Sequence, residues 1–248
     1  MKKLTLIVVL TAFLLSCEKE VLIGTSTDSR DGHVYQTVTI GNQTWMAENL
    51  AYLPKVAPPQ EGSVDEPFFY VYDYQGNDIS AAVQESNYMN FGVLYNWAAA
   101  MTACPDGWHL PTDEDWTTLE QYLGMKWSEG ESLDRRETGD VGQKLKSKDW
   151  WRYEKGNKNN SSGFNALPGG ERIADTPLNP GYFMGLYDMG IYWTSTPDEE
   201  NNPWWRGIGR DDDGGLSWLR GLTQNDGVIR WSGPDKSHGC SVRCVKIN

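Results

Sequence analysis

Residues 4–15 form an almost unbroken apolar run of twelve residues. That is shorter than the roughly 20 a membrane-spanning helix needs. From His33 the pattern changes to alternation. Val34, Gln36 and Val38 fall on one side and Tyr35, Thr37 and Thr39 on the other, which predicts a half-buried strand. Gly41-Asn42 reads as the hairpin turn, and residues 44–47 as a return strand that packs Trp45 inward. Four prolines between residues 53 and 67 predict an irregular surface loop. A helical period follows. Leu94, Trp97, Ala98 and Met101 share one stripe and predict a helix over 90–103. A second helix is predicted from Asp113, with Thr112 as N-cap, three acids in its first turn and Gly124 just past its end. Trp116, Leu119, Tyr122 and Leu123 would be its buried face. Beyond residue 125 the chain is rich in Gly, Asn, Asp and Trp, with short strand patterns at 191–194, 204–208, 228–231 and 241–247. The absence of a repeat or an internal boundary gives one α+β domain over residues 28–248, with two early helices followed by a loop-rich antiparallel β half.

The opening run is an export signal. Lys2 and Lys3 precede it and Leu14-Leu15-Ser16-Cys17 ends it, the pattern of a bacterial lipobox. Residues 1–16 are therefore read as a lipoprotein signal peptide, with cleavage before Cys17 and lipid on that cysteine. Several acyl chains, at about 0.8 kcal/mol per buried methylene, make such an anchor essentially permanent. Residues 17–27 mix charges with Gly, Ser and Thr without periodicity and are read as a lipidated tether. Glu18-Lys19-Glu20 resembles the acidic start of surface-exported lipoproteins of Bacteroidetes-like bacteria. The expected location is the outer membrane, lipid-anchored, facing the periplasm or the surface.

Composition narrows the function further. The 248 residues are 39% hydrophobic and 23% charged, which excludes disorder, collagen and coiled coil. Twelve Trp, twelve Tyr and six Phe suffice for an aromatic core with rings left for the surface. Trp45, Trp97, Trp108, Trp116 and Trp193 are assigned to the core. The net charge is −12, two units more negative once Lys2 and Lys3 are removed, so binding to nucleic acid is disfavoured. With Cys17 acylated, Cys104, Cys240 and Cys244 remain for one disulfide and one thiol, and spacing alone does not choose the pair.

Catalytic motifs are scarce. His33, His109 and His238 make no H-E-x-x-H, and neither G-x-S-x-G nor a phosphate-binding loop is present. His109 is read as structural. Among 34 acidic residues a glycosidase pair cannot be picked out without geometry. Asp211, Asp212 and Asp213 before Gly214-Gly215 form the densest acidic cluster and are the candidate Ca²⁺ ligands, although they lack the spacing of a helix-loop-helix calcium site and read first as a solvated turn. Trp204, Trp205 and Arg206, with Trp218 and Trp231, offer flat amphipathic rings beside polar groups, the chemistry that stacks against sugar faces. Adjacent Trp204 and Trp205 would point to opposite faces of a strand, so at least one belongs to the core.

Five blocks in order resemble the Fibrobacter succinogenes major paralogous domain, a family of surface lipoproteins: residues 28–50, C-P-D-G-W-H-L-P-T-D-E-D-W-T-T-L (104–119), G-F-N-A-L-P-G-G (163–170), Y-W-T-S-T (192–196) and S-V-R-C-V-K (241–246). H-L-P-T-D-E-D-W, G-L-Y-D-M-G-I-Y-W (185–193) and S-V-R-C are also similar to blocks of the formylglycine-generating, sulfatase-modifying domain. Both resemblances imply a C-type lectin-like fold. They also imply a Cys104–Cys244 disulfide, with Cys240 outside the family pattern. The copper-binding cysteine pair of the formylglycine-generating enzymes has no counterpart, since residues 204–234 contain no cysteine. Asn225-Asp226 in Gln224-Asn225-Asp226, and Glu200-Asn201-Asn202-Pro203, are the nearest strings to the calcium and sugar triplets of C-type lectins. The resulting expectation is a non-catalytic, lipid-anchored surface module that binds polysaccharide, glycan or an envelope protein through loops 198–235. An enzyme related to the formylglycine-generating group and a protein-binding adhesion or assembly factor are the alternatives.

Overall fold

The computed structural model describes residues 21–129, 135–136, 138–152, 159–174, 180–197, 201, 203–208, 228–232 and 235–247. Its order is β1 (Leu22–Thr27), β2 (Val34–Ile40), β3 (Gln43–Met46), β4 (Phe69–Tyr70), α1 (Ile79–Ala82), α2 (Ser86–Phe91), β5 (Leu94–Tyr95), α3 (Trp97–Ala103), α4 (Asp113–Tyr122), β6 (Arg135–Arg136), α5 (Val141–Leu145), β7 (Gly169–Ile173), β8 (Tyr182–Leu186), β9 (Gly190–Pro197), β10 (Pro203–Ile208), β11 (Val228–Ser232) and β12 (Val245–Ile247). This is an α+β architecture. One sheet runs β1-β2-β3-β12, a second runs β6-β11-β10-β9-β7-β8, and β4 pairs with β5. The second sheet is antiparallel except where β7 meets β9 in parallel at Gly170 and Gly190.

The first sheet follows the sequence pattern. Ile40 pairs with Gln43, so Gly41-Asn42 is a two-residue turn, and Gly41 supplies the positive φ (65°) it requires. Trp45 is fully buried, 5.0 Å from the ring of Trp116 and 5.5 Å from that of Phe164. The expected tether gives way to structure sooner than its composition suggested. Residues 22–27 form β1, antiparallel to β2 from Leu22 opposite Thr39 to Thr27 opposite Val34. Gly, Ser and Thr masked the strand because β1 is an edge with little to bury.

The helix expected over 90–103 is corrected to two shorter ones with a strand between them. Gly92 has φ 74°, and a Cβ there would lie 2.7 Å from the carbonyl oxygen of Leu50. The chain therefore leaves α2, pairs as β5, and restarts at Asn96. The buried Asn96 side chain accepts from the Phe68 and Ala99 N–H groups and donates to the carbonyls of Ser63 and Glu66. Ala99, Ala100 and Ala103 face the core, while Met101 is exposed.

Helix α4 starts as expected, with a capping box between Thr112 and Asp115 and Gly124 at φ 115° after its end. Its buried face differs by one position, since Glu120 is buried and Tyr122 exposed. The 53–67 loop is irregular, yet Leu53, Val56 and Ala57 are buried, so it lies over the core rather than on the surface. Trp116 and Trp193 are fully buried, and Trp97 and Trp108 partly so. Cys104 and Cys244 form the disulfide, 140 residues apart, and Cys240 is a buried thiol.

Three buried arginines tie distant segments together. Arg172 in β7 donates to the carbonyls of Pro59, Glu61 and Ser237. Arg243, just before β12, donates to Asn49 Oδ1 and to the carbonyls of Met46, Phe164 and Asn165. Arg206 in β10 binds acids of α4.

Candidate functional site

The turn after α5 is built around two inward groups. The Ser147 hydroxyl donates to the Asp149 carbonyl at 2.6 Å, and the buried Trp151 indole N–H donates back to Ser147 Oγ at 3.2 Å. With Trp151 anchored inward, its neighbour Trp150 is turned outward, in the left-handed region at φ 77° and 44% exposed. Tyr187 occupies the turn between β8 and β9, also left-handed at φ 69°. Its N–H donates to the Pro168 carbonyl at 2.9 Å, and its carbonyl accepts from the Arg152 N–H at 2.9 Å. Arg152 also pairs with Asp188 at 3.2 Å, so it clamps the two turns together.

The clamp places Trp150 and Tyr187 in nearly parallel planes, 17° apart with centroids 6.3 Å apart. Phe91, at the end of α2, stands edge to face with each, at 5.5 and 5.6 Å. Phe91 is buried, so it supports the two outer rings from below. It also lines a cavity of about 230 Å³ with His33, Glu48, Asn49, Tyr88 and Met89. The polar groups there are already oriented. Asn49 Nδ2 donates to the Phe91 carbonyl at 2.9 Å and its Oδ1 accepts from Arg243 at 2.8 Å. Tyr88 donates to the Ala51 carbonyl, and partial burial raises its phenol above the ordinary range. Glu48 accepts from the Gln36 N–H through one oxygen and faces His33 Nε2 at 3.7 Å through the other. Glu48 also lines a second cavity of about 280 Å³ with Ile23, Gln36, Ala47, Gly163 and Asn165. The arrangement is a ring pair joined through Phe91 to a cavity edged by hydrogen-bonding groups. It can hold a ligand that is apolar on one face and polar at its edges.

Residues 38–246 match the Fibrobacter succinogenes major domain. The chain belongs to that family. No curated protein and no solved structure matches it.

Within this Fibrobacter succinogenes major domain, the residues singled out in the sequence fare unevenly. Arg206 is corrected from ligand group to structural tie. It is fully buried, with Nε on Glu120 at 2.9 Å and Nη1 on Asp113 at 2.6 Å, and those two acids belong to α4. Trp204 and Trp205 lie in β10, where Trp205 pairs with Trp193 on one side and Trp231 on the other. Trp218, Asn225, Asp226, Asp211, Asp212, Asp213 and Cys17 fall outside the described residues. His109 sits 3.1 Å from Asp115 Oδ2, the carboxylate that caps α4, in keeping with a structural role. Among the described residues, no group of three or more His, Cys, Asp or Glu could hold a metal. Burial, reinforced by the charge of Glu171, raises the Cys240 thiol well above its ordinary value, so it is a poor nucleophile.

Sequence reading missed Trp150, Tyr187 and Phe91. The available signal was the adjacent pair Trp150-Trp151 between Asp149 and Arg152. Here the two neighbouring indoles part, Trp151 buried and Trp150 half-exposed. Nothing in the local pattern linked that turn to Tyr187, 37 positions later.

Proposed function

We propose that this chain is a lipid-anchored, non-catalytic surface module that binds polysaccharide, held to the outer membrane through Cys17. The observation that carries the reading is the Trp150–Tyr187 pair. Each ring is held on a left-handed backbone, which costs roughly 1–2 kcal/mol for a non-glycine residue. Such strain persists only where the surroundings enforce it, and here it presents a half-exposed indole rather than burying one. Flat rings beside oriented amide and carboxylate groups suit the C–H faces and hydroxyl edges of sugars. This reading puts a sugar face at the turns after α5 and β8; of the loops 198–235 expected from the sequence, only residues 201, 203–208, 228–232 and 235 are described.

A C-type lectin-like fold fits the same picture. The strands nearest the two chain ends, β1 to β3 and β12, share one sheet, and the second half is loop-rich with its own sheet. The buried, hard-to-ionise Cys240 and the lack of cysteines across residues 204–234 favour binding over formylglycine-type chemistry.

The test is titration of residues 18–248 against a panel of neutral and acidic polysaccharides. Trp150→Gly removes the ring and relieves the backbone at one stroke. It is expected to keep the melting temperature within a few degrees and to weaken binding at least tenfold. Binding that survives in Trp150→Gly but is lost in Trp205→Ala would return the site to the β10 region. No binding to any polysaccharide, with capture of an envelope protein instead, would replace the glycan reading by the adhesion one.

A further inference from the structure

Strand β1 is the outer edge of its sheet. It pairs with β2 along its whole length and, among the described residues, with nothing on its other side. Natural edges are usually blunted by charge, proline or a covering element. Residues 21–27 contain no charged residue and no proline. Val21, Leu22 and Ile23 are instead 41%, 61% and 72% exposed. Strand alternation sends Leu22 to one face of the sheet and Val21 and Ile23 to the other. A rigid partner would cover one of those faces. The fluid interfacial layer of a membrane covers both.

The chain before the strand decides between these. Three residues separate Cys17 from Val21, and four fully extended steps reach at most about 14 Å. On the reading that Cys17 carries lipid, its acyl chains hold it at the bilayer surface, so β1 begins within or just above the headgroup layer. We infer that the leading end of β1, Val21 to Ile23, lies in the headgroup layer of the membrane that holds the lipid. The domain then stands on that edge in a fixed orientation rather than swinging on a tether. The edge N–H and C=O groups there meet hydrated headgroups, which can satisfy them.

The experiment uses the full chain, matured and lipidated, in vesicles of phosphatidylethanolamine and phosphatidylglycerol. Ile23→Cys carries an environment-sensitive fluorophore, Leu22→Cys carries it as a second position, and the exposed Asn77→Cys, just before α1, serves as the control. Cys240 is buried, Cys104 and Cys244 are bonded and an acylated Cys17 has no thiol to react, so labelling of that sample is site-selective. Labels at 22 and 23 should be blue-shifted and quenched several-fold more by nitroxide-bearing lipid than the label at 77. Mass analysis of the same sample reports acylation. An unmodified Cys17 would overturn the anchor and the contact together. An acylated Cys17 with labels at 22 and 23 no more quenched than at 77 would overturn the contact alone. So would energy transfer between copies labelled at 23 that rises with protein density and ignores nitroxide lipid, since a second copy would then cover the edge.

Discussion

The two large sheets are held in different ways. The β2-β3 hairpin of the first sheet is organised by its own neighbourhood, with a two-residue turn, an alternating strand, and one tryptophan packed at steep angles against rings from α4 and the 163–170 segment. The β6-β11-β10-β9-β7-β8 sheet, the loops around it and the segment that leads into β12 depend on long polar ties. Arg206 reaches back 86 residues to Glu120, Arg172 reaches 113 to Pro59, and Arg243 reaches 194 to Asn49. Guanidinium suits this task because its five N–H donors form a rigid planar fork. Each fork here satisfies buried carbonyls or carboxylates, those of loops for Arg172, of helix α4 for Arg206, and of β3 and the loop at 164–165 for Arg243. Where regular structure is sparse, charged side chains take over the hydrogen bonding that strands and helices normally supply.

The sharpest way to break that difference is at Arg243. Replacing it by Met leaves four acceptors, Asn49 Oδ1 and the carbonyls of Met46, Phe164 and Asn165, without their donor. An unsatisfied buried polar group costs roughly 1–3 kcal/mol. Several at once consume most of a typical total stability of about 5–15 kcal/mol. Arg243→Met is expected to yield no cooperatively folded protein at 37 °C, measured by near-ultraviolet circular dichroism. A variant with near-native melting would mean the loops find other donors.

Next in size is the Cys104–Cys244 disulfide, which ties the end of α3 to the residue before β12. In the chain-entropy model a loop of this length contributes slightly more than the roughly 4.7 kcal/mol of a 100-residue loop, before strain is deducted. Cys104→Ser should lower the melting temperature far more than Cys240→Ser, whose thiol sits in the same core without a bond. Equal effects would mean the core around Cys240 matters as much as the crosslink.

The Arg206–Glu120 pair comes close behind. Both side chains are fully buried, and removing one partner of such a pair costs about 3–5 kcal/mol. Glu120→Leu should be strongly destabilising, while Glu120→Leu with Arg206→Leu should recover most of the loss. A double variant no better than the single one would show that Asp113 and Thr117, not Glu120, are the main partners of the guanidinium.

Alkaline pH tests both sheets at once. Burial raises the phenols of Tyr35 in β2 and Tyr95 in β5, and of Tyr192 in β9, and pushes Tyr70 and Tyr72 up to about 12. The unfolded chain releases these protons near pH 10, whereas the folded one keeps them. Stability is therefore fully present below pH 10 and is lost as pH rises through the folded values, by about 1.4 kcal/mol per pH unit for each tyrosine involved. Denaturant midpoints should be flat to about pH 9 and fall between about 10 and 12. A midpoint unchanged at pH 11 would mean the phenols ionise without unfolding.

The same division explains what could be read from the sequence. The Gly41-Asn42 turn and the Thr112 cap rest on contacts within a few residues, and the inward Trp45 on strand alternation, so period or composition displays them. β1 escaped because an exposed edge needs no alternation, and the stripe Leu94, Trp97, Ala98 and Met101 overstated the helix because Leu94 pairs with Tyr70 in β5 and the helix begins only at Trp97. Arg206 stood beside two tryptophans, and adjacency suggested a ligand. Its partners Glu120 and Asp113 lie on a helix whose outward pattern gave no hint of a buried acid. The aromatic platform joins position 150 to 187 and 91, and no local period records such a meeting.

The smallest predicted effect sharpens the comparison from the local side. The Thr112 hydroxyl accepts from the Asp115 N–H at 3.0 Å and Asp115 Oδ2 accepts from the Thr112 N–H at 2.9 Å, a reciprocal cap closed within four residues. Losing such a cap costs about 0.5–2 kcal/mol, typically about 1. Thr112→Ala should lower stability by that amount, and Thr112→Ser, which keeps the accepting oxygen, should restore most of it. Both can be read from the midpoint of chemical denaturation at constant slope. Asp115 retains His109 at 3.1 Å, so part of the turn persists in the alanine variant and holds the loss near the low end. A loss as large as that of Glu120→Leu would erase the distinction between local caps and long-range ties, and would place α4 among the elements the second sheet depends on.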